Sequence, residues 1–308
     1  MKKRAYVVVS LISALTIVIA FLWSYKRVEA EMKFTKNDSS GHGVSIITVA
    51  DPTFEELISA YSGRHPQAPI DDLKPFSIFI QNTTEKTIVG FKLRWVCTKT
   101  DGTTVDKVIA RTTLWALTNT LGANTEAALQ RSGGVIGRKS YGFVSLAAPP
   151  ESLTGQVVNL TDQNSMREEL KMLNSELQNY TEVSVNLDGI FFDDGGFIGT
   201  DDKYYEDIKA EVEANQDVLK EIQGGIQKGK SADEIFKSIE EAANGPDVRL
   251  WSESTSRDHY QHEKKLSAQE VLNIRKYKGE DKAFEHIRMR LGRAWPVIRK
   301  LEISKGSS

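Results

Sequence analysis

Five aspartates lie close together in the middle of the chain, in the stretch 183–202, which reads VSVNLDGIFFDDGGFIGTDD. They are Asp188, Asp193, Asp194, Asp201 and Asp202. Carboxylate oxygens are the ligands that Ca²⁺ prefers, and a pair of carboxylates can also carry out glycoside hydrolysis. The spacing does not match the ligand series of an EF-hand loop. A calcium-dependent or hydrolytic site in this stretch is therefore the alternative interpretation.

Turn and capping roles account for several of these carboxylates. Asp194-Gly195 is typical of a hairpin turn, because both residue types tolerate a positive φ. Asp201 and Asp202 follow Thr200 and supply cap oxygens and negative charge for a helix beginning near Lys203. We therefore predict no metal, no cofactor and no catalytic residue here, with the five aspartates as the best acidic candidates for a metal.

Other motifs that could carry chemistry are incomplete. The segment 133–140, GGVIGRKS, has Arg138 where a phosphate-binding P-loop needs its second glycine, so we expect a mobile loop. His259 and His262 have the spacing of a zinc-binding pair, but no third ligand follows. Cys97, the single cysteine, lies in the apolar phase of a strand and is predicted to be buried and inert. We predict that the protein is not an enzyme.

The stretch 183–202 also separates two kinds of sequence. Val183, Val185 and Leu187 alternate with polar residues, as in a half-buried strand. After Asp188-Gly189 the apolar residues are Ile190 and Phe192, one position out of phase, which predicts a bulge. Strands precede this stretch, and helical patterns follow it.

The residues 44–199 have the pattern of antiparallel strands joined by short turns, with one apolar face and one polar face. The alternation is clearest where Val89, Phe91, Leu93, Trp95 and Cys97 share a face. We predict an immunoglobulin-like or fibronectin-like antiparallel β-sandwich of about seven strands. The resemblance is to an architecture and not to a family. Strands are predicted at 44–49, 76–80, 88–98, 105–117, 141–147, 156–160 and 183–192, with an inserted helix at 165–180.

The residues 200–308 are predicted to form a helical C-terminal region. A heptad seam with one polar member favours packing within the chain or pairing of two copies. Its members are Tyr205, Ile208, Val212, Asn215, Leu219, Ile222 and Ile226. Capping boxes at 231–234 and 267–270 predict further helices, and a final helix is predicted to carry Trp295 and to kink at Pro296. Basic residues dominate 248–308 and acidic residues dominate 203–247, so we expect the tail to fold on itself, with Trp295 buried against Tyr205, Ile208 or Leu219.

The N-terminus carries a targeting segment. The apolar run 5–23 follows a basic start and is long enough to span a bilayer, so 1–30 is a signal anchor or, if cleaved after Ala30, a signal peptide. The polar residues 31–43 are predicted to be a tether. The bulk of the chain is then exported, to the periplasm or the cell exterior, and a cleaved chain is secreted.

These patterns predict an exported, membrane-anchored and non-catalytic binding or structural module of the cell envelope. The small net charge of -2 gives no reason to expect nucleic acid as a partner. A protein partner is expected to contact the C-terminal helices.

Overall fold

The computed structural model describes residues 33–37, 42–64, 73–74, 77–113, 135–146, 171–172, 175–176, 179–250, 253–292 and 295–301. Across these residues the chain is rich in strands first and helical afterwards, as predicted. The predicted targeting segment and the predicted strand at 156–160 lie outside the described residues.

The strands have the following bounds: β1 Lys33–Asn37, β2 Val44–Ile47, β3 Ser77–Asn82, β4 Ile88–Lys99, β5 Thr104–Thr112, β6 Ser140–Ser145, β7 Tyr180–Phe192, β8 Gly196–Gly199 and β9 Arg299–Lys300. The helices are α1 Phe54–Arg64, α2 Asp202–Gln227, α3 Ala232–Ala243, α4 Ser256–Lys278 and α5 Glu280–Leu291.

The strands form two mostly antiparallel sheets, of which only the larger contains parallel pairs. The larger, six-stranded sheet has the order β5-β4-β7-β8-β9, and β1 pairs in parallel with β7. The smaller sheet has the order β2-β3-β6 and is antiparallel throughout. One buried hydrophobic cluster contains residues of both sheets, among them Ile46 and Ile80 of the smaller sheet and Leu93, Trp95 and Val185 of the larger one. Cys97 is buried in this cluster, as predicted.

The predicted bulge in β7 is present. Gly189 pairs with Lys92 and Leu187 pairs with Leu93, so Asp188 has no residue opposite it on β4. The extra residue keeps Ile190 and Phe192 on the core face that Leu187 also occupies. Phe191 consequently faces the opposite side, where it packs against the start of α2.

A second irregularity corrects the predicted face of β4. The pairing with β7 shifts between Ile88 and Gly90, which leaves Val89 as an extra residue. The alternation predicts that Val89 shares the core face of Phe91. In the structure Val89 instead packs with Phe191 against α2.

The turn and cap that follow β7 direct the chain into the helical region. A three-residue loop, one residue longer than predicted, joins β7 to β8, and Gly195 adopts φ +82° within it. Asp201 is the N-cap of α2, since its Oδ1 accepts a hydrogen bond of 2.8 Å from the backbone N–H of Tyr204. The helix begins within one residue of the predicted position.

The helices after residue 200 pack on one another. α2 runs alongside α4 and also contacts α3 and α5, and a separate apolar cluster lies between these helices. The predicted capping box from Ser231 to Glu234 is present and opens α3. The one predicted at Ser267 is wrong, because α4 already begins after Thr255, which forms its own capping box with Asp258. Ser267 is buried in the middle of α4.

Three further segments differ from the predictions. The predicted tether 31–43 contains β1, whose residues Lys33–Asn37 pair with β7. The predicted final helix ends at Leu291, and Arg299–Lys300 forms β9 against β8, so the tail returns to the sheet. The predicted helix 165–180 is described only in part: residues 171–172 and 175–176 are helical, but Tyr180 already belongs to β7.

The glycine-rich segment 133–140 is packed where the structure describes it. Val135 and Ile136 are buried, and Ile136 forms a bridge with Ile88. The side-chain amide of Asn82 donates a hydrogen bond of 2.9 Å to the carbonyl of Gly137. The described residues 135–140 therefore form part of the β core and not the predicted mobile loop.

Candidate functional site

The five aspartates of 183–202 each face a basic side chain. The partners are Arg94 for Asp188, Arg138 for Asp193, Lys86 and Arg299 for Asp194, Lys92 for Asp201, and Lys300 for Asp202. These partners come from β4, from the loops before β4 and β6, and from β9. The carboxylates therefore connect the hairpin of β7 and β8 to several different elements.

The most buried of the five carboxylates is that of Asp188, which pairs with Arg94. The guanidinium donates two hydrogen bonds, from Nε to Oδ2 at 2.9 Å and from Nη2 to Oδ1 at 3.1 Å. Asp188 is 7% exposed, because the bulge points its side chain along the sheet toward β4. This bidentate geometry is the strong form of a carboxylate contact. It raises the pKa of Arg94 and holds the guanidinium charged.

Asp201 and Asp194 combine capping with ion pairing. The Asp201 carboxylate caps α2 and lies 2.5 Å from Lys92 Nζ. Asp194 accepts a hydrogen bond from the backbone N–H of Gly196 and pairs with Lys86 at 2.8 Å. Burial raises the pKa of both carboxyls, but the lysines and the backbone donors outweigh it and lower the pKa below its ordinary value. Both groups are therefore ionised and engaged at neutral pH.

The described residues contain no group of three or more His, Cys, Asp or Glu side chains that could hold a metal ion. His259 Nδ1 lies 2.8 Å from Glu211, and His262 Nδ1 lies 2.9 Å from the carbonyl of Val248. The two histidines, whose spacing alone is typical of a zinc-binding pair, are thus directed at different partners.

We expect Ca²⁺ to leave the melting temperature of the full chain unchanged. A ligand that binds only the folded state must stabilise it by mass action, and the carboxylates of 183–202 already have basic partners. Differential scanning calorimetry with and without millimolar Ca²⁺ makes the comparison, and Mg²⁺ serves as the control ion. A rise with Ca²⁺ that disappears in Asp193→Asn would contradict this prediction and favour a calcium site.

A second polar cluster lies between α2 and α4. His259 of α4 contacts Glu211 at 2.8 Å through Nδ1 and Asp207 at 3.5 Å through Nε2. The hydroxyl of Ser256 donates a hydrogen bond of 3.0 Å to Asp207. The serine is bonded to the aspartate and not to the histidine, so this is not the arrangement of a hydrolase triad. The cluster holds two helices together.

One turn further along, a buried network joins three helices. Asn215, the polar member of the predicted seam, donates to Glu263 of α4 at 2.7 Å and accepts from Arg290 of α5 at 2.7 Å. Arg290 also donates to Glu270 at 3.0 Å. Six of the predicted seam residues are buried inside the chain, namely Tyr205, Ile208, Val212, Asn215, Leu219 and Ile222, whereas Ile226 at the end of the seam is exposed. Asn215 thus fixes how α2, α4 and α5 pack together.

The polar interface predicts a pH dependence. Burial alone lowers the pKa of His259, but its hydrogen bond to Glu211 and the charges of Glu211 and Asp207 outweigh burial, and the pKa is raised. A histidine whose pKa is higher in the folded state stabilises that state fully below about pH 6.5, and the contribution is lost as the pH rises through the folded pKa. Burial also raises the pKa of Glu263, which acts in the same direction.

We therefore expect the unfolding free energy to fall as the pH rises above about 6.5. In His259→Gln the slope is expected to become smaller, because the titrating group is gone. Urea unfolding monitored by circular dichroism at several pH values measures the slope, and His42→Gln, which lies just before β2, is the control. An unchanged slope in His259→Gln would show that this histidine does not couple to folding.

An open groove lies between α2 and the segment that follows α5. It has a volume of about 470 Å³. Its apolar lining consists of Val212, Leu219, Leu291, Trp295, Pro296, Val297 and Ile298. Trp295 and Ile298 also pack against the cluster that contains Phe191 and Tyr205, so the groove lies next to the junction of sheet and helices.

Basic residues dominate the charged lining of this groove. Lys209 and Lys220 of α2 and Arg290 of α5 line it, against Glu213 alone among the acidic residues. Arg290 is committed to Asn215 and Glu270, and its guanidinium lies 6.0 Å from the centre of the Trp295 ring. The indole N–H of Trp295 is shielded from solvent and has no acceptor among the described residues. The arrangement combines an apolar floor, an aromatic wall and two accessible ammonium groups.

The sequence predicts the packing of Trp295 but not the groove that it lines. Trp295 was expected against Tyr205, Ile208 or Leu219, and it does pack on the cluster of Tyr205 and Ile208. The predicted final helix ends at Leu291, before Trp295, and residues 295–298 have no regular secondary structure and lead into β9. Pro296 is the sequence signal for this: a proline removes a helical hydrogen bond and favours an extended residue before it.

Comparison with known protein families, with curated proteins and with solved structures gives no match. Within the described part of the chain, no helix has the length and apolar character needed to cross a membrane.

Proposed function

We propose that this chain is an exported, membrane-anchored and non-catalytic binding module of the cell envelope. The observation that carries the proposal is the groove between α2 and the segment 295–298, which combines an apolar floor with basic residues. A groove of this volume lies within the ordinary range for small-molecule sites, roughly 300 to 1,000 Å³. Anchoring comes from the apolar run 5–23.

We further propose that the two sheets are the layers of an immunoglobulin-like β-sandwich. The shared cluster with residues from both sheets supports this arrangement, since the inner faces of a sandwich form one core. The helical region then sits on the far side of the larger sheet, where Val89, Phe191 and Phe197 contact Tyr205 and Ile208. The sandwich is the scaffold, and the helices form the binding surface.

The ion pairs of 183–202 support a non-catalytic role. A general base or a metal ligand needs a carboxylate that is available to a substrate or an ion. Asp188, Asp194 and Asp201 are instead engaged with Arg94, Lys86 and Lys92 at distances of 2.5 to 3.1 Å. These contacts hold β7, β8 and α2 in place.

We expect the full chain to remain with membranes after high-salt and carbonate washing. The apolar run 5–23 is about 28 Å long as a helix, which is enough to span the hydrocarbon core. Protease added to intact cells with a permeable outer envelope is expected to digest the residues after this run, because the bulk is exported. A soluble product beginning at Glu31 would show cleavage instead and would remove the anchor from the proposal.

The binding role is tested by what the protein retains when it is isolated. Native mass spectrometry of the full chain, released from lipid nanodiscs prepared from the native membrane, is expected to show a bound small molecule. Gln216→Trp fills the groove and is expected to lose that mass, whereas Gln223→Trp, an exposed residue of the same helix outside the groove, is expected to keep it. An equal loss or equal retention in both variants would contradict the groove as the site.

A further inference from the structure

We infer that the groove between α2 and 295–298 binds an elongated organic anion with a flat or linear apolar body. The inference rests on the proposed binding role and adds the chemical class of the ligand. It is supported by the shape of the apolar floor, by the positions of Lys209 and Lys220, and by the excess of basic over acidic side chains in the lining.

The floor suits an apolar body. Val212 and Leu219 are each 2% exposed and form the bottom of the groove, and Pro296 and Ile298 form one side. Trp295 presents an aromatic ring beside them. Aromatic and aliphatic walls of this kind stabilise a bound apolar surface by about 25 cal/mol per Å² removed from water.

The lysines define two ends. Lys209 and Lys220 are three helical turns apart on α2, which is about 16 Å along the helix axis. Both line the groove, and their side chains are 41% and 66% exposed. An extended molecule that lies on Val212 and Leu219 therefore brings its charged end to one of the two ammonium groups.

The existing partners of these lysines do not remove the preference for an anion. Lys209 lies 3.8 Å from Glu206, and Lys220 lies 3.3 Å from Asp217. Exposed pairs of this kind contribute only about 0 to 1 kcal/mol, so a ligand carboxylate or sulfonate can take their place. Arg290 also lines the groove and adds positive potential, although its salt bridge to Glu270 partly neutralises its charge. Only Glu213 opposes an anion from within the groove.

The experiment uses three probes with the same apolar body. They are 2-naphthalenesulfonate, the neutral 2-naphthalenesulfonamide and the cationic 2-naphthylmethylammonium. Isothermal titration calorimetry is carried out on the full chain in phosphatidylcholine nanodiscs, with empty nanodiscs as the blank for partition into lipid. The anion is expected to bind at least about tenfold more tightly than the neutral probe, which corresponds to about 1.4 kcal/mol.

Variants locate the site and its charge. Lys209→Gln or Lys220→Gln is expected to lower the affinity for the anion by about two- to fivefold and to leave the neutral probe unaffected. Lys237→Gln, an exposed lysine of α3 outside the groove, is the matched control and is expected to change neither. Gln216→Trp is expected to abolish binding of all three probes, and Gln223→Trp is expected to retain it.

The outcomes separate this inference from the proposed function. If the neutral or cationic probe binds as tightly as the anion, or if neither lysine variant weakens anion binding, the anion class is wrong while the groove stands. If the anion binds equally well to Gln216→Trp, the groove is not its site and this inference fails, while the native mass comparison still decides the binding role. If no probe binds at millimolar concentration, the inferred ligand class is wrong, and the native mass comparison decides the binding role separately.

Discussion

Trp95→Ala is expected to lower the free energy of unfolding by about 3 to 5 kcal/mol, because it leaves a large cavity between the two sheets. Trp95 is 2% exposed and lies in the cluster shared by both sheets. It pairs with Lys107 on one side and Val185 on the other, so its position is fixed by two neighbouring strands. Such a loss is a large fraction of the stability of an ordinary domain.

Urea unfolding followed by far-ultraviolet circular dichroism measures the change. Tyr277→Ala is the matched aromatic control, because Tyr277 is 75% exposed at the end of α4 and is expected to cost less than about 0.5 kcal/mol. If the two substitutions have similar effects, Trp95 does not contribute to the core as its burial indicates.

Much of the β region could be predicted from alternation alone. The face of β4 that carries Phe91, Leu93, Trp95 and Cys97 is buried as predicted, because a strand with one face in a core must place every second residue there. The bulge at Asp188 could also be predicted from the change of phase at Asp188-Gly189, since a glycine at such a point accommodates an extra residue. Val89 was assigned to the wrong face because it alternates with Phe91, Leu93 and Trp95 without a change of phase, although Gly90 follows it as Gly189 follows Asp188.

The wrong helix start at Ser267 has a physical cause. Ser267 to Glu270 and Thr255 to Asp258 each have a hydroxyl residue followed by a carboxylate three positions later, and only the second pair caps a helix. A capping pattern specifies a helix start only if the preceding residues are free to leave the helix. In α4 the contacts of His259 and Glu263 with α2 hold those residues in helical conformation.

The remaining differences depend on partners far away in the sequence. β1 is a polar segment, KFTKN, with no run of apolar residues, and it becomes a strand because β7 offers a free edge beside Val183 and Val185. β9 forms in the same way against β8, where Arg299 and Leu301 donate backbone hydrogen bonds to Gly195 and Phe197. The local sequence does not contain this information. The groove depends on the return of β9, so its shape could not be predicted either.

Arg94→Met is expected to destabilise the fold by about 2 to 4 kcal/mol, because it leaves the carboxylate of Asp188 buried without its partner. Asp188 is 7% exposed and receives two hydrogen bonds from the guanidinium. The figure is lower than for a fully buried pair, since the side chain of Arg94 is 41% exposed and water can reach part of the site. Chemical unfolding at neutral pH measures the loss.

A matched pair and a double variant make the reason for this loss testable. Arg138→Met removes a guanidinium that is 63% exposed and 3.7 Å from Asp193, and it is expected to cost less than about 1 kcal/mol. Asp188→Asn combined with Arg94→Met is expected to be more stable than Arg94→Met alone, because the uncompensated charge is gone. If the double variant is instead less stable, the carboxylate contributes something besides its pairing with Arg94. That result would favour a role of Asp188 in binding a ligand or an ion, beyond its contact with Arg94 of β4.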